Sequence, residues 1–328
     1  MARTDIDTIA DQFKPAIKNA LLAAFDELRN RNSIAQIAEM YELGGVDAVL
    51  GTISDMEGII SQHVLDDLDA ALMEGGRTAI QFIPQAGLVI PTYKFNVFQQ
   101  STVDFLNRYR LNLINSISNE TRRAIKTTLI DQAISGANPR QVAIEFRNTI
   151  GLSTKQEQAV RTYRTALENL DKNALTRKLR DRRFDSTIER AIKNNTPLSQ
   201  EQIDRYVNRY RERFIKYRSE VIARTESLRA VSVGQDESIK QMLEQGVLHE
   251  DLRQFWIYAK DERTRPTHKL IPAMNNGIKS EKLGTNGTGI KLTEMFQTPL
   301  GPLRYPRDPN GTAANTILCR CRRVFRML

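Results

Sequence analysis

The sequence contains few of the residues that most often carry catalysis or bind metals. Its 328 residues include only two cysteines, three histidines and one tryptophan. Two cysteines cannot form the disulfide framework that stabilises small secreted domains, and Cys319 and Cys321 are too close in sequence to bridge each other comfortably. We therefore expect these two residues to be free thiols or metal ligands.

The sequence also lacks a long apolar segment. No run approaches the roughly 20 apolar residues that are needed to span a bilayer. The N-terminal sequence MARTDIDTIADQF lacks the apolar core of a signal peptide. We therefore expect no membrane partner, and we place synthesis and folding in a cytoplasm.

Common enzyme signatures are missing as well. The sequence has no Walker loop, no Gly-x-Gly-x-x-Gly motif, no Gly-x-Ser-x-Gly motif and no His-Glu-x-x-His motif. Rare residues collect in only two stretches, DERTRPTHKL at 261–270 and ILCRCRRVF at 317–325. These stretches could belong to an active site, to a metal site or to the seam of a small structural domain.

The two signs of charge are unevenly distributed along the chain. Residues 1–75 contain 5 Lys and Arg against 14 Asp and Glu, whereas residues 76–328 contain 43 against 25. Such a split favours different partners, because an acidic surface avoids nucleic acid while a basic one can approach it or an acidic protein. The alternative is that charged helix faces only keep the chain in solution.

Residues 1–95 are predicted to form an acidic helical domain. Apolar residues recur at helical spacing, and the run from Met56 to Leu72 is predicted to end at the glycine pair Gly75-Gly76. The β-branched stretch TAIQFIPQAGLVIP (78–91) then predicts a short extended segment or a hairpin.

Residues 96–245 are predicted to form a basic helical body. Helix starts are marked by the N-cap and proline Asn138-Pro139 and by the capping boxes Ser153–Gln156 and Ser199–Gln202. The last box precedes the longest helix, whose apolar stripe repeats every three or four residues. This stripe consists of Ile203, Tyr206, Tyr210, Phe214, Tyr217, Val221, Thr225 and Leu228.

Residues 246–328 differ from the helical body. The strand-like sequence RQFWIYAK (253–260) is followed by many prolines and glycines, which predict a loop-rich module with few strands. The predicted fold is therefore mainly α. It consists of an elongated helical body with a long central helix, followed by a small loop-rich α+β C-terminal module.

The long helix combines tyrosines with basic residues in the sequence DRYVNRYRERFIKYRSEVIARTE (204–226). Arg205, Arg209, Arg213 and Lys216 are candidates for contacts with DNA phosphates, beside aromatic rings that could stack on bases. The aromatic residues follow the helical stripe, whereas the charges lie mostly off it. We therefore favour a buried aromatic seam with a solvated basic flank, and any DNA contact would be non-specific.

The two C-terminal stretches support two kinds of chemistry. Cys319 or Cys321 could act as a nucleophile with His268 as base and Asp261 as orienting acid, which would make the chain a hydrolase or transferase. Alternatively, His268 and the two cysteines could bind zinc, with His249 or Asp261 as a fourth ligand. Nothing in the sequence shows that the catalytic residues converge, and one histidine with Cys-x-Cys supplies only three of the four zinc ligands. We therefore expect no catalytic residue and no cofactor, and zinc stays an alternative.

A structural interpretation uses the same residues. Trp256 and both thiols would lie in a core, while Asp261, Arg263 and Arg265 would tie the end of a strand to the loops through charge-assisted hydrogen bonds. The C-terminal part of the long helix would join this network and lock the helix to the module. The predicted network is Arg224, Thr225, Glu226, Trp256, Asp261, Arg263, His268, Cys319 and Cys321.

Four segments follow one another in an informative order: IARTESLRA (222–230), FWIYAKDERTRPTHKL (255–270), PLGPLRYPRDPN (299–310) and LCRCRRVF (318–325). Their order resembles the phage Mu protein F-like family of minor head, or head morphogenesis, proteins. The resemblance extends over residues 100–328, and its motifs lie in residues 222–328. The family often has Asp-Gly a few residues after the histidine, where this chain has LIPAMNNG, and Asn before Cys-Arg-Cys, where this chain has Leu318.

The resemblance implies a structural virion protein of low copy number rather than an enzyme. Such a minor capsid protein, made late in infection, would bind the portal protein on the inside of the capsid. It would also meet other capsid or scaffold proteins, and it would contact packaged DNA non-specifically. Its role would be in head assembly, DNA packaging or genome delivery, after assembly in the host cytoplasm. The remaining alternative is a cytoplasmic accessory protein that binds DNA without entering a virion.

Overall fold

A computed structural model describes residues 5–275 and 288–328, so part of the predicted loop-rich stretch (276–287) lies outside the described residues. The described chain is mainly helical with one small antiparallel sheet near its C-terminus, which confirms the predicted combination of a helical body and an α+β module. No helix in this part is both long and apolar enough to cross a bilayer. The elements are α1 (Ile6–Asn30), α2 (Ile34–Gly51), α3 (Met56–Thr78), α4 (Gln100–Ile134), α5 (Pro139–Thr149), α6 (Thr154–Glu168), α7 (Asp185–Asn194), α8 (Gln200–Glu244), β1 (Leu252–Ile257), α9 (Pro266–Met274), β2 (Ile290–Lys291), α10 (Ala313–Thr316) and β3 (Arg322–Met327).

The chain forms two compact units, and each unit combines separate segments. Unit 1 comprises Met1–Ile17, Leu65–Arg110 and Val221–Leu328, and unit 2 comprises Lys18–Val64 and Leu111–Glu220. The domains predicted from the sequence, 1–95, 96–245 and 246–328, follow chain order instead. Composition shows where the character of a chain changes, but it does not show which distant segments pack together.

The charge split along the chain does not become a charge split between the units. Unit 1 contains 23 Lys and Arg against 19 Asp and Glu, and unit 2 contains 25 against 20. Acidic N-terminal helices pair with later basic ones inside each unit, as in Asp69–Arg110 at 2.6 Å and Glu57–Arg122 at 2.5 Å. The two ends of the sequence therefore do not supply separate acidic and basic surfaces.

Side-chain caps fix where helices of unit 2 begin. Oδ1 of Asn138 accepts a hydrogen bond from the backbone N–H of Gln141 at 2.9 Å at the start of α5. Before α8, the Ser199 hydroxyl accepts from the N–H of Gln202 at 3.2 Å, and the Gln202 side chain accepts from the N–H of Ser199 at 2.9 Å. The sequence predicted these starts because the first N–H groups of a helix need such acceptors.

The glycine pair Gly75-Gly76 does not end α3, contrary to the prediction, since the helix continues to Thr78. A Cβ atom at Gly75 would lie 2.2 Å from the backbone oxygen of Val231, and one at Gly234 would lie 1.9 Å from the backbone oxygen of Leu72. The backbones of α3 and α8 approach this closely because both helices have glycine at the crossing. The glycines thus serve packing rather than termination.

Residues 78–91 form neither the predicted hairpin nor a continuous extended segment. Ala79–Phe82 and Gln85–Gly87 are short 3-10 helices, and Leu88 makes an isolated β-bridge to Leu248. The N–H of His249 donates to the carbonyl of Gly87 at 2.9 Å. The β-branched stretch therefore pairs with a segment far along the chain, and local sequence does not encode that choice.

The sheet of unit 1 has the order β2-β1-β3, with both neighbours antiparallel to β1. Trp256 of β1 lies opposite Arg323 of β3. The strands contribute to two apolar clusters. The first contains Ala79, Ile83, Ile239, Met242, Val247, Leu248, Leu252, Leu292 and Phe325, and the second contains Trp256, Ile271, Ile290, Phe296, Leu303, Cys319 and Cys321.

In unit 2, two basic residues of α8 are buried instead of lying on a basic flank. Arg218 donates to Thr121 Oγ1 at 2.9 Å and to the carbonyl of Gly151 at 3.1 Å, and it pairs with Glu120 at 3.1 Å. Arg211 forms an ion pair with Glu145. A helical pattern assigns charges to the solvent side, but a guanidinium whose N–H groups are matched can be buried.

We expect Gly234→Ala to destabilise the protein by about 1–3 kcal/mol, the usual cost of overpacking, because the added methyl group would meet the backbone of Leu72. Gly51→Ala is the matched control, since no atom lies within 4 Å of a Cβ atom built there. The control should be neutral or slightly stabilising. Urea unfolding of both variants measures the difference, and equal stabilities would contradict the close helix crossing.

Candidate functional site

One imidazole and two thiols form a buried cluster in the C-terminal part of unit 1. Helix α9 begins at Pro266 and places His268 in its first turn, while Cys319 and Cys321 directly precede β3. Residues two apart in extended chain point to the same side. The Cys-x-Cys spacing therefore presents both thiols to His268, while Arg320 between them pairs with Asp261.

The three side chains lie in direct contact. Nδ1 of His268 is 3.4 Å from Sγ of Cys321 and 3.6 Å from Sγ of Cys319. All three potential ligand atoms lie within 4.8 Å of one another. Each of the three residues is only 1% exposed. The structure thus brings together the three residues that the sequence grouped as candidate zinc ligands.

Asn315 fixes the orientation of the imidazole. Its Oδ1 accepts a hydrogen bond from Nε2 of His268 at 2.9 Å, and its Nδ2 donates to Thr298 Oγ1 at 2.9 Å. Because an amide oxygen can only accept, Nε2 carries a proton, and Nδ1 faces the two thiols. Asn315 is not predictable from the sequence, because its surroundings, NGTAANTIL, contain no motif that marks it.

Aromatic rings enclose the cluster. The Trp256 ring lies 5.8 Å from the His268 ring at 88°, and the Phe296 ring lies 5.3 Å from the Trp256 ring at 72°. Trp256 is fully buried, and its indole Nε1 has no hydrogen-bond partner in the described residues. The thiols and imidazole are therefore held in a dry, apolar setting.

The two thiols have opposite pKa shifts. A hydrogen bond from Cys321 lowers the pKa of Cys319 well below its ordinary value, against the effect of burial and with help from His268 and Arg307. The same hydrogen bond, together with burial, raises the pKa of Cys321.

The guanidinium of Arg307 is buried beside the cysteines. Its Nη1 donates to the carbonyls of Cys319 at 3.2 Å and of Cys321 at 2.8 Å, and its Nη2 donates to Ser232 Oγ at 3.1 Å. Arg307 therefore holds the backbone of the Cys-x-Cys segment against α8. The residue lies in the segment PLGPLRYPRDPN, where nothing in the local sequence marks it for this role.

Asp261 does not orient His268. Its carboxylate pairs with Arg320 and, at 3.2 Å, with Arg263, and the hydrogen bond from Arg320 lowers the pKa of Asp261. Both nitrogens of His268 have other partners. The Cys–His–Asp arrangement of the enzyme alternative is therefore not formed.

The two residues proposed as a fourth zinc ligand are also occupied elsewhere. Asp261 pairs with arginines, and Nδ1 of His249 accepts a hydrogen bond from the N–H of Asp251 at 3.2 Å.

Arg265 donates to the carbonyl of Ile317. This contact ties the start of α9 to the loop before the cysteines, as the structural interpretation expects of this arginine.

The end of the long helix contacts the module through some of the predicted residues. Thr225 Oγ1 accepts a hydrogen bond from the N–H of Leu318 at 3.3 Å. Glu226 pairs with Arg229 at 2.6 Å. The Arg224 side chain makes no hydrogen bond or ion pair with the part of the chain that the structure describes.

Arg229 makes the link that the sequence analysis assigned to Arg224. Its Nε donates to the carbonyl of Arg307 at 3.2 Å, and its Nη2 donates to Thr316 Oγ1 at 3.1 Å. Arg229 lies four residues after Thr225, on the same helix face. Helical spacing from Thr225 could have indicated Arg229 as the linking residue. The position of Arg224 directly before Thr225 in the sequence indicated Arg224 instead.

Asp236 of α8 is a second buried centre that the sequence analysis missed. Its carboxylate accepts hydrogen bonds from Arg304 Nε and Arg323 Nη1, each at 2.7 Å, and it pairs with Lys240 at 3.2 Å. Burial acts to raise the pKa of Asp236, but these three cations lower it below its ordinary value. Its contribution to stability is therefore present at neutral pH and is lost as the pH falls through the folded-state pKa.

The candidates for DNA contact lie on α8 in unit 2. The exposed ones are Arg205, Arg209 and Lys216. Arg213 pairs with the buried carboxylate of Asp181 at 3.3 Å. The nearby ring of Tyr206 is buried and stacks on Phe184, with ring centroids 4.2 Å apart. The aromatic residue thus packs inside unit 2, and the basic surface beside it is smaller than the sequence indicates.

The cluster can support two kinds of chemistry. A thiol beside Nδ1 of a histidine whose Nε2 meets an asparagine is also the arrangement of Cys–His–Asn hydrolases. A nucleophile must reach its substrate, however, and both thiols and the imidazole are buried. Two sulfur atoms and one nitrogen lone pair that converge in a dry site are the donors of a zinc site.

Comparison of the whole chain with protein-family models, curated proteins and solved structures yields no match.

We expect Leu318→Asn to stabilise the protein by about 1 kcal/mol, because Leu318 has a φ of 55° and asparagine tolerates this left-handed conformation better than leucine. The side chain is 39% exposed, so little apolar burial is lost. Leu300→Asn is the matched control, since Leu300 is also 39% exposed and has no positive φ. Urea unfolding should show a gain for Leu318→Asn alone, and a loss of similar size in both variants would contradict this explanation.

Proposed function

We propose that the chain is a structural minor head protein of a bacteriophage. It would bind the portal protein inside the capsid and act in head assembly, DNA packaging or genome delivery. The proposal starts from the resemblance of four sequence segments to the Mu F-like family. It assigns no turnover to the chain, because the groups that an enzyme would use are buried.

The observation that carries the proposal is that the four segments contact one another in unit 1. Thr225 in the first segment meets Leu318 in the last, and Arg229 in the first meets the carbonyl of Arg307 in the third. His268 in the second segment meets Cys321 in the last. Four unrelated matches to a motif series would have no reason to meet in space, whereas the parts of one folded module must do so.

Contact with packaged DNA is a secondary part of the proposal, and the exposed basic residues of α8 support it. Arg205, Arg209 and Lys216 are exposed, while acidic residues such as Glu212 lie among them. Arg209 pairs with Glu212 at 2.5 Å. Such a mixed surface tolerates nearby phosphates without binding them tightly. The role of the chain would therefore be to hold protein partners while DNA passes or packs beside it.

We expect the chain to be part of the phage particle. Quantitative mass spectrometry of purified particles should find it at low copy number relative to the major capsid protein, and cross-linking should join it to the portal protein. Arg307→Met should lower the yield of particles, because it removes the N–H groups that hold the cysteine segment. Arg77→Ala is the control, since this arginine side chain is 68% exposed.

Two outcomes together would contradict the virion assignment: particles that lack the chain, and a normal yield of infectious particles after deletion of its gene. Deletion that abolishes particles while the chain is absent from them would also count against a structural role. It would indicate an assembly factor that leaves before completion.

We expect weak DNA binding that disappears as the salt concentration rises. Replacing Arg205, Arg209 and Lys216 by alanine should weaken binding and reduce the dependence of log K on log salt by about 0.9 per lost phosphate contact. The control replaces three other exposed arginines, Arg77, Arg108 and Arg140, and removes the same charge. Fluorescence anisotropy with two unrelated duplexes measures both quantities, and sequence-selective binding that persists at high salt would contradict this part of the proposal.

A further inference from the structure

We propose that His268, Cys319 and Cys321 bind one Zn²⁺ ion, through Nδ1 of the imidazole and the two Sγ atoms. The inference does not depend on the proposed function, because an ion here would stabilise the C-terminal module whatever that module contacts. The sequence offered three ligand types without showing that they meet. The geometry of the cluster supplies that missing step.

The distances from the histidine nitrogen to the two sulfur atoms fit a coordination tetrahedron. Zinc bonds of about 2.3 Å to sulfur and about 2.0–2.1 Å to nitrogen place an S and an N ligand about 3.6 Å apart. The distances from Nδ1 of His268 are 3.4 Å to Cys321 Sγ and 3.6 Å to Cys319 Sγ. The three side chains therefore need little movement to coordinate an ion.

A single lone pair faces two sulfur atoms in this cluster. Nδ1 of His268 can accept one S–H hydrogen bond, yet both thiols lie at nearly the same distance from it. Hydrogen bonding to Nδ1 would use only one of the two thiols. A metal ion would use the lone pair and both sulfur atoms at once.

Asn315 supports His268 in the way that a hydrogen-bond acceptor supports a histidine ligand in zinc sites. Such histidines donate their second N–H to a carbonyl or carboxylate, which fixes the ring and its tautomer. Asn315 accepts the Nε2 proton at 2.9 Å and is itself held by Thr298 at 2.9 Å. Asn315 is only 1% exposed, so this support is rigid and shielded from water.

The chemistry of the donors selects the kind of ion. Two thiolates and one neutral imidazole suit a borderline-soft divalent cation, whereas Mg²⁺ and Ca²⁺ prefer oxygen ligands. The two negative charges of the thiolates would neutralise the two positive charges of the ion. The bound site would therefore carry no net charge, which suits the apolar surroundings formed by Trp256 and Phe296. Three protein ligands leave one tetrahedral position for a further donor, as in other three-ligand zinc sites.

The first test measures metal in the full chain, purified without chelators or metal-affinity resin from cells grown with added zinc. We expect about one zinc per folded chain by elemental mass spectrometry. Cys321→Ser and His268→Gln should lose most of this zinc. His249→Gln is the matched control and should retain it, because His249 lies outside the cluster. Circular dichroism reports whether each variant keeps its helices.

A second test uses the unaltered chain, so it does not depend on whether a variant folds. After chelation, titration with Co²⁺ should produce thiolate-to-cobalt absorption that saturates near one equivalent and that added Zn²⁺ removes. Chelation should also make both thiols more reactive towards an alkylating reagent. Two results would overturn the proposal: a folded chain that binds neither metal at micromolar concentration, or a zinc content that Cys321→Ser leaves unchanged.

Discussion

The burial of the Arg307 guanidinium is the constraint on which the C-terminal module depends. A buried charge costs several kcal/mol unless its N–H groups are matched. Arg307 meets this condition with the carbonyls of Cys319 and Cys321 and the hydroxyl of Ser232. Because these partners come from segments far apart in the sequence, the same hydrogen bonds that satisfy the charge also fix the segments against each other.

Helix α8 receives the module on one polar face. Thr225, Arg229, Ser232 and Asp236 follow one another at steps of three or four residues, so they lie along one side of the helix. Thr225 meets Leu318, Ser232 meets Arg307, and Asp236 meets Arg323. Each contact is directional, whereas apolar packing is not. The module is therefore held in one register on the helix by hydrogen bonds, while the apolar clusters beside it supply most of the burial.

The sequence predicts local structure well at positions where the residue type has a single structural role. Asn138 and Ser199 mark helix starts because the first N–H groups of a helix need acceptors, and both caps are present. The fold class follows from the same periodicity. Gly75 and Gly234 show the limit of this reasoning, because glycine can end a helix or admit a neighbouring backbone. Only the tertiary structure distinguishes the two uses.

The candidate site shows the same limit. The rarity of cysteine and histidine was sufficient to single out His268, Cys319 and Cys321. The residues that give these side chains their chemistry, Asn315 and Arg307, are of common types in loop sequence and act through contacts with distant segments. Asp261 shows the opposite error. Its place near His268 in the sequence suggested that it orients the imidazole, but its carboxylate pairs with Arg320 instead.

Unit 1 combines segments from opposite parts of the chain, and this arrangement affects how the protein is made. Residues 1–17 belong to the same unit as residues 221–328, and Asp5 pairs with Arg322 of β3. A ribosome releases the N-terminal residues first, so residues 6–17 of α1 must wait for β3 before unit 1 can close. The segments of unit 2 end at residue 220 and can assemble earlier. The apolar residues in the first part of α1, such as Ile6, Ile9 and Ala10, therefore cannot reach their final packing in unit 1 until residues 221–328 have been made.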